Sequence, residues 1–275
     1  MNGRLLAFDS GIGGLSVVRE LRALLPELTI DYIADNAVFP YGELPDPVLI
    51  ERVGALVDAA IARLRPDAVL IACNTASTVA LDALRARFAL PFIGCVPPIK
   101  WAAAVSRTRH IGLLATAATV RRPYLRELQN RFAPDCTLIA HGARGLADIA
   151  EAAFRRRAVD RDAIRHELDE LFDQAQGDRI DVVGIGCTHY SFLLEPLRAL
   201  SPPGITWLDP AGAVARQAAA VLAALPAGGT NSHGTGTAWF TGPPQDEARL
   251  RAGLAAFGYA AIEPFALDPV LSARG

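Results

Sequence analysis

The 275 residues are 51% hydrophobic and 20% charged, enough apolar matter to bury a sizeable core in one large or two smaller domains. With 27 basic residues against 29 acidic ones the formal charge is −2, which lacks the positive surplus of a nucleic-acid or membrane-surface binder, so a small polar ligand is the expected partner. The opening MNGRLLAFDSGIGG has no signal-peptide pattern, and no later segment approaches the roughly 18 uninterrupted apolar residues of a membrane span, so a cytoplasmic location is expected.

Short apolar, β-branched runs alternate with longer amphipathic stretches from the first residues on, which predicts an α/β fold with mainly parallel sheets. A strand over 4–8 leads through DSGIGGLS into a helix over 14–25, and a strand over 29–34 into a helix over 46–64. A strand over 68–72 precedes a helix over 77–87, and a further strand is expected over 92–95. Then follow a strand over 110–115, a helix over 120–132, a strand over 137–140, and helices over 147–154 and 161–176. Strands over 182–185 and 206–208 and a helix over 211–225 come next. PAGGTNSHGTGT, residues 226–237, reads as a flexible connection before a last strand over 238–241 and a helix from about Asp246.

A weak repeat cuts across this alternation. Asp67, Val69 and Cys73 stand at offsets 0, 2 and 6, and Asp181, Val183 and Cys187 repeat them. Each cysteine also follows, many residues on, a strand with a polar end: Asp9 and Ser10 in one half, Thr116 in the other. In parallel α/β units ligands gather at the carboxyl ends of strands, next to helix N-termini.

A lone buried cysteine is most often a small hydrophobe, the reading kept for Cys95 and Cys136. Cys73, in ACNTAS, and Cys187, in GCTHY, differ in being followed at once by polar, oxygen-bearing residues and an expected helix start, surroundings that favour thiolate. The four cysteines form no CxxC or other metal-ligand spacing, so neither a disulfide framework nor a metal is expected. DSGIGGLS invites a nucleotide-binding reading, but a G-x-G-x-x-G match needs glycine where Ser16 stands and the P-loop lysine is missing. Asp9 would also repel a pyrophosphate, whereas it suits an ammonium group. His189 near Cys187 leaves a Cys-His hydrolase as a competing reading, though one that leaves Cys73 without a role. FRRRAVDRD, residues 154–162, reads as a solvated, charged helix end. Lys100 is the only lysine and follows Pro97 and Pro98 in no cofactor motif, so no pyridoxal-phosphate chemistry and no other cofactor is expected.

FDSGIGGLSV, PYGE, ACNTAS, ATAATV and GCTHY, in that order and spacing, resemble the signatures of the bacterial glutamate racemases within the aspartate/glutamate racemase group, from about Leu5 to Gly242. The resemblance implies two similar α/β domains facing a central cleft, one formed by 1–98 plus 210–275 and carrying Asp9 and Cys73, the other by 99–209 and carrying Cys187 and His189. It implies cofactor-independent, two-base racemisation of glutamate for peptidoglycan synthesis, with Cys73 and Cys187 as the two bases, helped by Asp9, His189 and Glu151. Substrate contacts carried over are Asp9, Ser10, Tyr41, Gly42, Asn74, Thr75, Thr116, Thr119, Thr188 and His189, and the assembly implied is a homodimer. The chain departs from the family pattern at Ser191, often proline, at Pro210, often serine, and in the segment before Glu151. Another member of the group acting on aspartate or a small diacid, and a silent amino-acid sensor, are the alternatives.

Overall fold

The computed structural model describes residues 3–225 and 234–267. Two compact units divide the chain: Met1–Cys95 with Ala211–Gly275, and Val96–Pro210. Each is an α/β layer structure whose paired strands all run parallel.

In the first unit β1 (Arg4–Asp9) leads to α1 (Leu15–Leu24), β2 (Thr29–Ala34) to α2 (Asp46–Leu64), β3 (Ala68–Ile71) to α3 (Asn74–Arg87), and β4 (Phe92–Gly94) closes the segment. In the second, α4 (Ile99–Val105), β5 (His110–Thr116), α5 (Ala117–Arg121), α6 (Pro123–Phe132), β6 (Thr137–Ala143), α7 (Leu146–Phe154), α8 (Arg161–Phe172), β7 (Val182–Gly186), α9 (Leu194–Leu200) and β8 (Thr206–Leu208) follow. The chain then returns to the first unit with α10 (Ala211–Ala223), β9 (Ala238–Phe240), α11 (Glu247–Ala255) and β10 (Ile262–Pro264).

The sheet orders are β10-β9-β2-β1-β3-β4 and β6-β5-β7-β8, so the same four-strand pattern, with its first strand inside, occurs in both units. Helices cover both faces of the second sheet: Leu146, Ile164, Leu168 and Leu197 pack on one side, and Ile99, Ala102 and Leu125 on the other. A strand buried on both faces must be apolar throughout, which is why β1, β3 and β7 read as continuous apolar runs.

The Asp-x-Val repeat has a physical basis. Asp67 accepts a hydrogen bond from the backbone N–H of Arg4 at 2.7 Å, just where β1 begins. Asp181 takes hydrogen bonds from the Ser106 hydroxyl at 2.7 Å and from the N–H groups of Arg107 and Thr108, just ahead of β5. Each aspartate thus ties the start of a cysteine-bearing strand to its central neighbour.

Several boundaries depart from the sequence reading. α3 starts at Asn74, not at 77, so Cys73 is itself the residue that opens the helix. The helix expected over 120–132 is two, because Arg122 precedes Pro123 and is driven to an extended conformation, φ −80° and ψ 143°. The helix expected to reach 176 ends at Phe172, where Gly177 passes so close to the Phe172 carbonyl that an added Cβ would lie 2.1 Å from it. Cys187 is followed by a 3-10 turn, Thr188–Leu193, before α9. Of the expected flexible connection, residues 226–233 lie outside the described residues; beyond them the Thr235 and Thr237 carbonyls already accept from the N–H groups of Ile30 and Tyr32, at 2.8 and 2.9 Å. Among the described residues no helix is long and apolar enough to cross a membrane.

Candidate active site

In the first unit Asp9 ends β1 fully buried. Its carboxylate accepts from the Gly11 N–H at 3.0 Å and the Ser10 hydroxyl at 3.2 Å. The β1–β3 register pairs Leu5 with Ala68 and Phe8 with Ile71, and continued two residues further it sets Ser10 opposite Cys73. The Ser10 Oγ lies 4.0 Å from the Cys73 Sγ, and both residues are buried. Gly14 lets α1 start against this corner: a Cβ there would meet the Ala72 Cβ at 2.7 Å and an Asp9 carboxylate oxygen at 3.2 Å. Gly14→Ala should therefore cost about 1–3 kcal/mol by overpacking and displace Asp9. The check is the urea midpoint together with turnover; an unchanged midpoint would mean that α1 yields without effect.

Asn74 and Thr75 form the first turn of α3 and are buried. The amide of Asn74 has neither its Nδ2 nor its Oδ1 hydrogen-bonded, although both atoms are shielded from solvent. An unpaired buried amide costs free energy comparable to a lost hydrogen bond, so the group is built for a partner that both donates and accepts. The first-turn N–H groups of α3 beside it favour an anion.

Tyr41 and Gly42 lie in a 3-10 turn after β2. The Tyr41 hydroxyl donates to Asp35 at 2.6 Å, so its proton is committed. Burial, reinforced by the charge of Asp35, pushes its pKa well above the usual tyrosine value. Asp35 was not singled out by sequence, yet it is a hub. Fully buried, it also accepts two bonds from the Arg52 guanidinium and one from the Thr241 hydroxyl, each at 2.6 Å.

In the second unit Cys187 and the 3-10 turn carrying Thr188 and His189 follow β7, all three buried. The β5–β7 register pairs Ile111 with Val182 and Ala115 with Gly186, and one step further sets Thr116 opposite Cys187, the counterpart of Ser10 and Cys73. Thr116 caps α5: its hydroxyl oxygen accepts from the Thr119 N–H at 3.3 Å and lies 3.0 Å from the Thr119 hydroxyl.

Glu151, on α7, places one carboxylate oxygen 3.2 Å from the His189 Nε2 and gives the other to Arg155. Burial would raise this carboxyl, but the hydrogen bond and charge of His189, with the Arg155 guanidinium, outweigh it and hold the pKa at about 2, against an ordinary 4.5. A carboxyl lowered by folding stabilises the protein above its unfolded pKa and loses that contribution as pH falls through the folded one, here between about 4.5 and 2. Glu151→Gln should remove on the order of 3 kcal/mol at neutral pH and flatten the acid loss of stability in that window. Urea midpoints measured across it, falling equally steeply in variant and wild type, would contradict the pairing.

Each unit thus assembles its own set: Asp9, Ser10, Cys73, Asn74 and Thr75 in one, Cys187, Thr188, His189 and Glu151 with Thr116 and Thr119 in the other. Cys95 and Cys136 are buried, and Lys100 lies exposed on α4 with its Nζ over the Phe132 ring. Among the described residues no three His, Cys, Asp or Glu side chains gather to hold a metal ion. The run over 154–162 departs from its reading at Arg155, whose side chain is only 12% exposed. An i, i+4 spacing from Glu151 was the signal for it.

The sequence profile of the Asp/Glu/Hydantoin racemase family matches residues 16–218. The chain belongs to this family. It is a racemase, an isomerase by class. Within the Asp/Glu/Hydantoin racemase family it is 57% identical to the glutamate racemase of Granulibacter bethesdensis over 220 residues, 80% of this chain and 79% of that one. It is 44% identical to the glutamate racemase of Rhizobium meliloti over 248 residues, 90% and 89% of the two chains. The crystal structure of Escherichia coli glutamate racemase in complex with L-glutamate and the activator UDP-MurNAc-ala matches with a TM-score of 0.90 and 37% identity, covering 98% of this chain and 100% of that one.

Proposed function

We propose that this chain interconverts L- and D-glutamate without a cofactor, in the cytoplasm, with Cys73 and Cys187 as the two acid–base groups. The observation that carries the reading is the duplicated register: each unit places a thiol just past the end of a buried strand and, as the register continues, a hydroxyl residue at the end of the neighbouring strand opposite it. The names of the relatives supply glutamate as the substrate. The unpaired Asn74 amide suits an α-amino acid, which brings both N–H donors and carboxylate acceptors.

Inversion at Cα needs two groups in opposite protonation states, because a single base tends to return the proton to the face it came from. One cysteine, as thiolate, takes the α-proton: the C–H bond breaks and an S–H bond forms. The other, as thiol, gives its proton to the opposite face of the carbanion and is left as thiolate. The protonation states have then exchanged, which readies the enzyme for the reverse direction. Asp9 and His189 tune the two sulfurs, and Glu151 supports His189. Carbanionic charge is met by preorganised donors: the hydroxyls of Thr75 and Thr188 and the first-turn N–H groups of α3, while the Ser10 hydroxyl, donated to Asp9, holds that carboxylate beside Cys73. Tyr41 and Gly42 contribute through their turn, and Thr116 and Thr119 through their hydroxyls. The product D-glutamate feeds peptidoglycan synthesis, and the working assembly is a homodimer, with no nucleic-acid or membrane partner.

Incubating the purified protein with L-glutamate, D-glutamate, each aspartate enantiomer or maleate, without pyridoxal phosphate, and resolving the products by chiral chromatography tests the substrate. Both glutamate enantiomers should converge on one near-equal mixture. Conversion of aspartate alone would move the activity to another diacid, and thermal stabilisation by glutamate without turnover would indicate a sensor.

A further inference from the structure

Arg155 closes α7 as its last cap, with φ −82° and ψ 12°. Arg156 and Arg157 beside it are exposed, as a solvated charge run should be, but the Arg155 side chain turns inward. Its Nη1 donates to the Glu151 main-chain carbonyl at 2.8 Å and also to the Glu151 carboxylate. A burial that takes a guanidinium out of water needs such compensation, and this one grips the backbone and the side chain of a single residue at once. The carboxylate so held has its other oxygen on the His189 Nε2, and His189 stands two residues beyond Cys187.

We propose that Arg155 is a positioning residue that fixes the Glu151 carboxylate in the rotamer that meets His189, and thereby sets the imidazole for proton transfer at Cys187. The proposal rests on the roles given above to Cys187 and His189. A free glutamate at the end of a helix would share several rotamers with solvent. The guanidinium, anchored on the Glu151 main-chain carbonyl, holds one carboxylate oxygen while His189 meets the other, which leaves the carboxylate one orientation; a lysine ammonium, a point donor on a flexible stem, reproduces the charge with less fixed direction.

The test is a double-mutant cycle in steady-state racemisation of glutamate, with thermal unfolding of every variant. Arg155→Ala should lower kcat about ten-fold with KM changed less than about two-fold, and Arg155→Lys should recover to within roughly three-fold of wild type. In the Glu151→Gln background, where no carboxylate remains to be oriented, Arg155→Ala should cost less than about two-fold in kcat. Should Arg155→Ala not fold, Arg155→Lys carries the cycle, with a loss that vanishes in the Glu151→Gln background. Full kcat in Arg155→Ala, or an equal loss in both backgrounds, overturns the proposal. Cys187→Ala is measured alongside: if it racemises glutamate at the wild-type rate, the site reading itself fails, whereas an inactive Cys187→Ala beside a fully active Arg155→Ala removes only the role of Arg155.

Discussion

Cys73→Ala and Cys187→Ala are each expected to lower racemisation of glutamate by roughly 100- to 10,000-fold or more, the range that a positioned acid or base contributes to a proton transfer. The proposed mechanism makes the loss symmetrical, because each sulfur is the base in one direction and the acid in the other. It also predicts what survives. With one thiol left, the α-proton of a single enantiomer can still be removed and returned to the same face, so that enantiomer should exchange with solvent without inverting. Cys→Ser is milder chemically but not functionally, since a serine hydroxyl is a poor acid and base at neutral pH and cannot take the place of a thiolate. A chiral assay of the two alanine variants decides the matter: near-wild-type turnover in either would remove that cysteine from the mechanism.

Asp35→Ala should produce a loss of stability as large as that of any substitution considered. The carboxylate is fully buried and takes four hydrogen bonds, two from Arg52 and one each from Tyr41 and Thr241. Removing it leaves a guanidinium that is only 25% exposed without its anion, and strands the Tyr41 hydroxyl in the core. Breaking a buried ion pair on one side costs about 3–5 kcal/mol; because Arg52 retains some contact with water, about 3 kcal/mol is expected. Tyr41→Phe, which leaves three donors on the carboxylate, should cost only about 1 kcal/mol. Urea unfolding of the two variants against wild type measures both, and a midpoint for Asp35→Ala within error of wild type would show that the hub contributes nothing net. Since Asp35 joins the end of β2, the Tyr41–Gly42 turn, α2 and the end of β9, its loss should also raise the KM for substrate.

Why some of this could be read from the chain and some could not is a matter of where each signal resides. β1, β3, β5 and β7 are buried on both faces, so their apolar runs are uninterrupted and their carboxyl ends stand out where Asp9, Cys73, Thr116 and Cys187 appear. The parallel arrangement followed from the helices between them. α4 and α9 were missed because each has only seven residues, α4 opening behind Pro98 and α9 carrying Pro196, too short for a 3.6-residue period to declare itself. β10 is a three-residue edge strand ending in Pro264, with two of its three residues exposed, and so has neither apolar face nor length. Asp35 was invisible, and Arg155 was masked despite its i, i+4 spacing from Glu151, for a different reason. An aspartate after a strand and an arginine in a basic run look solvated until tertiary structure brings Tyr41, Arg52 and Thr241 around the first, and turns the second back onto Glu151. Charge that is buried and paired leaves no hydrophobic periodicity to read.

The central claim is cofactor-free proton transfer at Cα by two thiols, and proton NMR of the reduced wild-type protein with L-glutamate in deuterated water tests it most directly. The Cα–H signal should disappear as D-glutamate accumulates, with the D-enantiomer carrying deuterium from its first appearance, because the proton removed by one sulfur is not the one delivered by the other. D-glutamate that forms with its original Cα–H retained, or folded protein that leaves the signal untouched, would contradict the account.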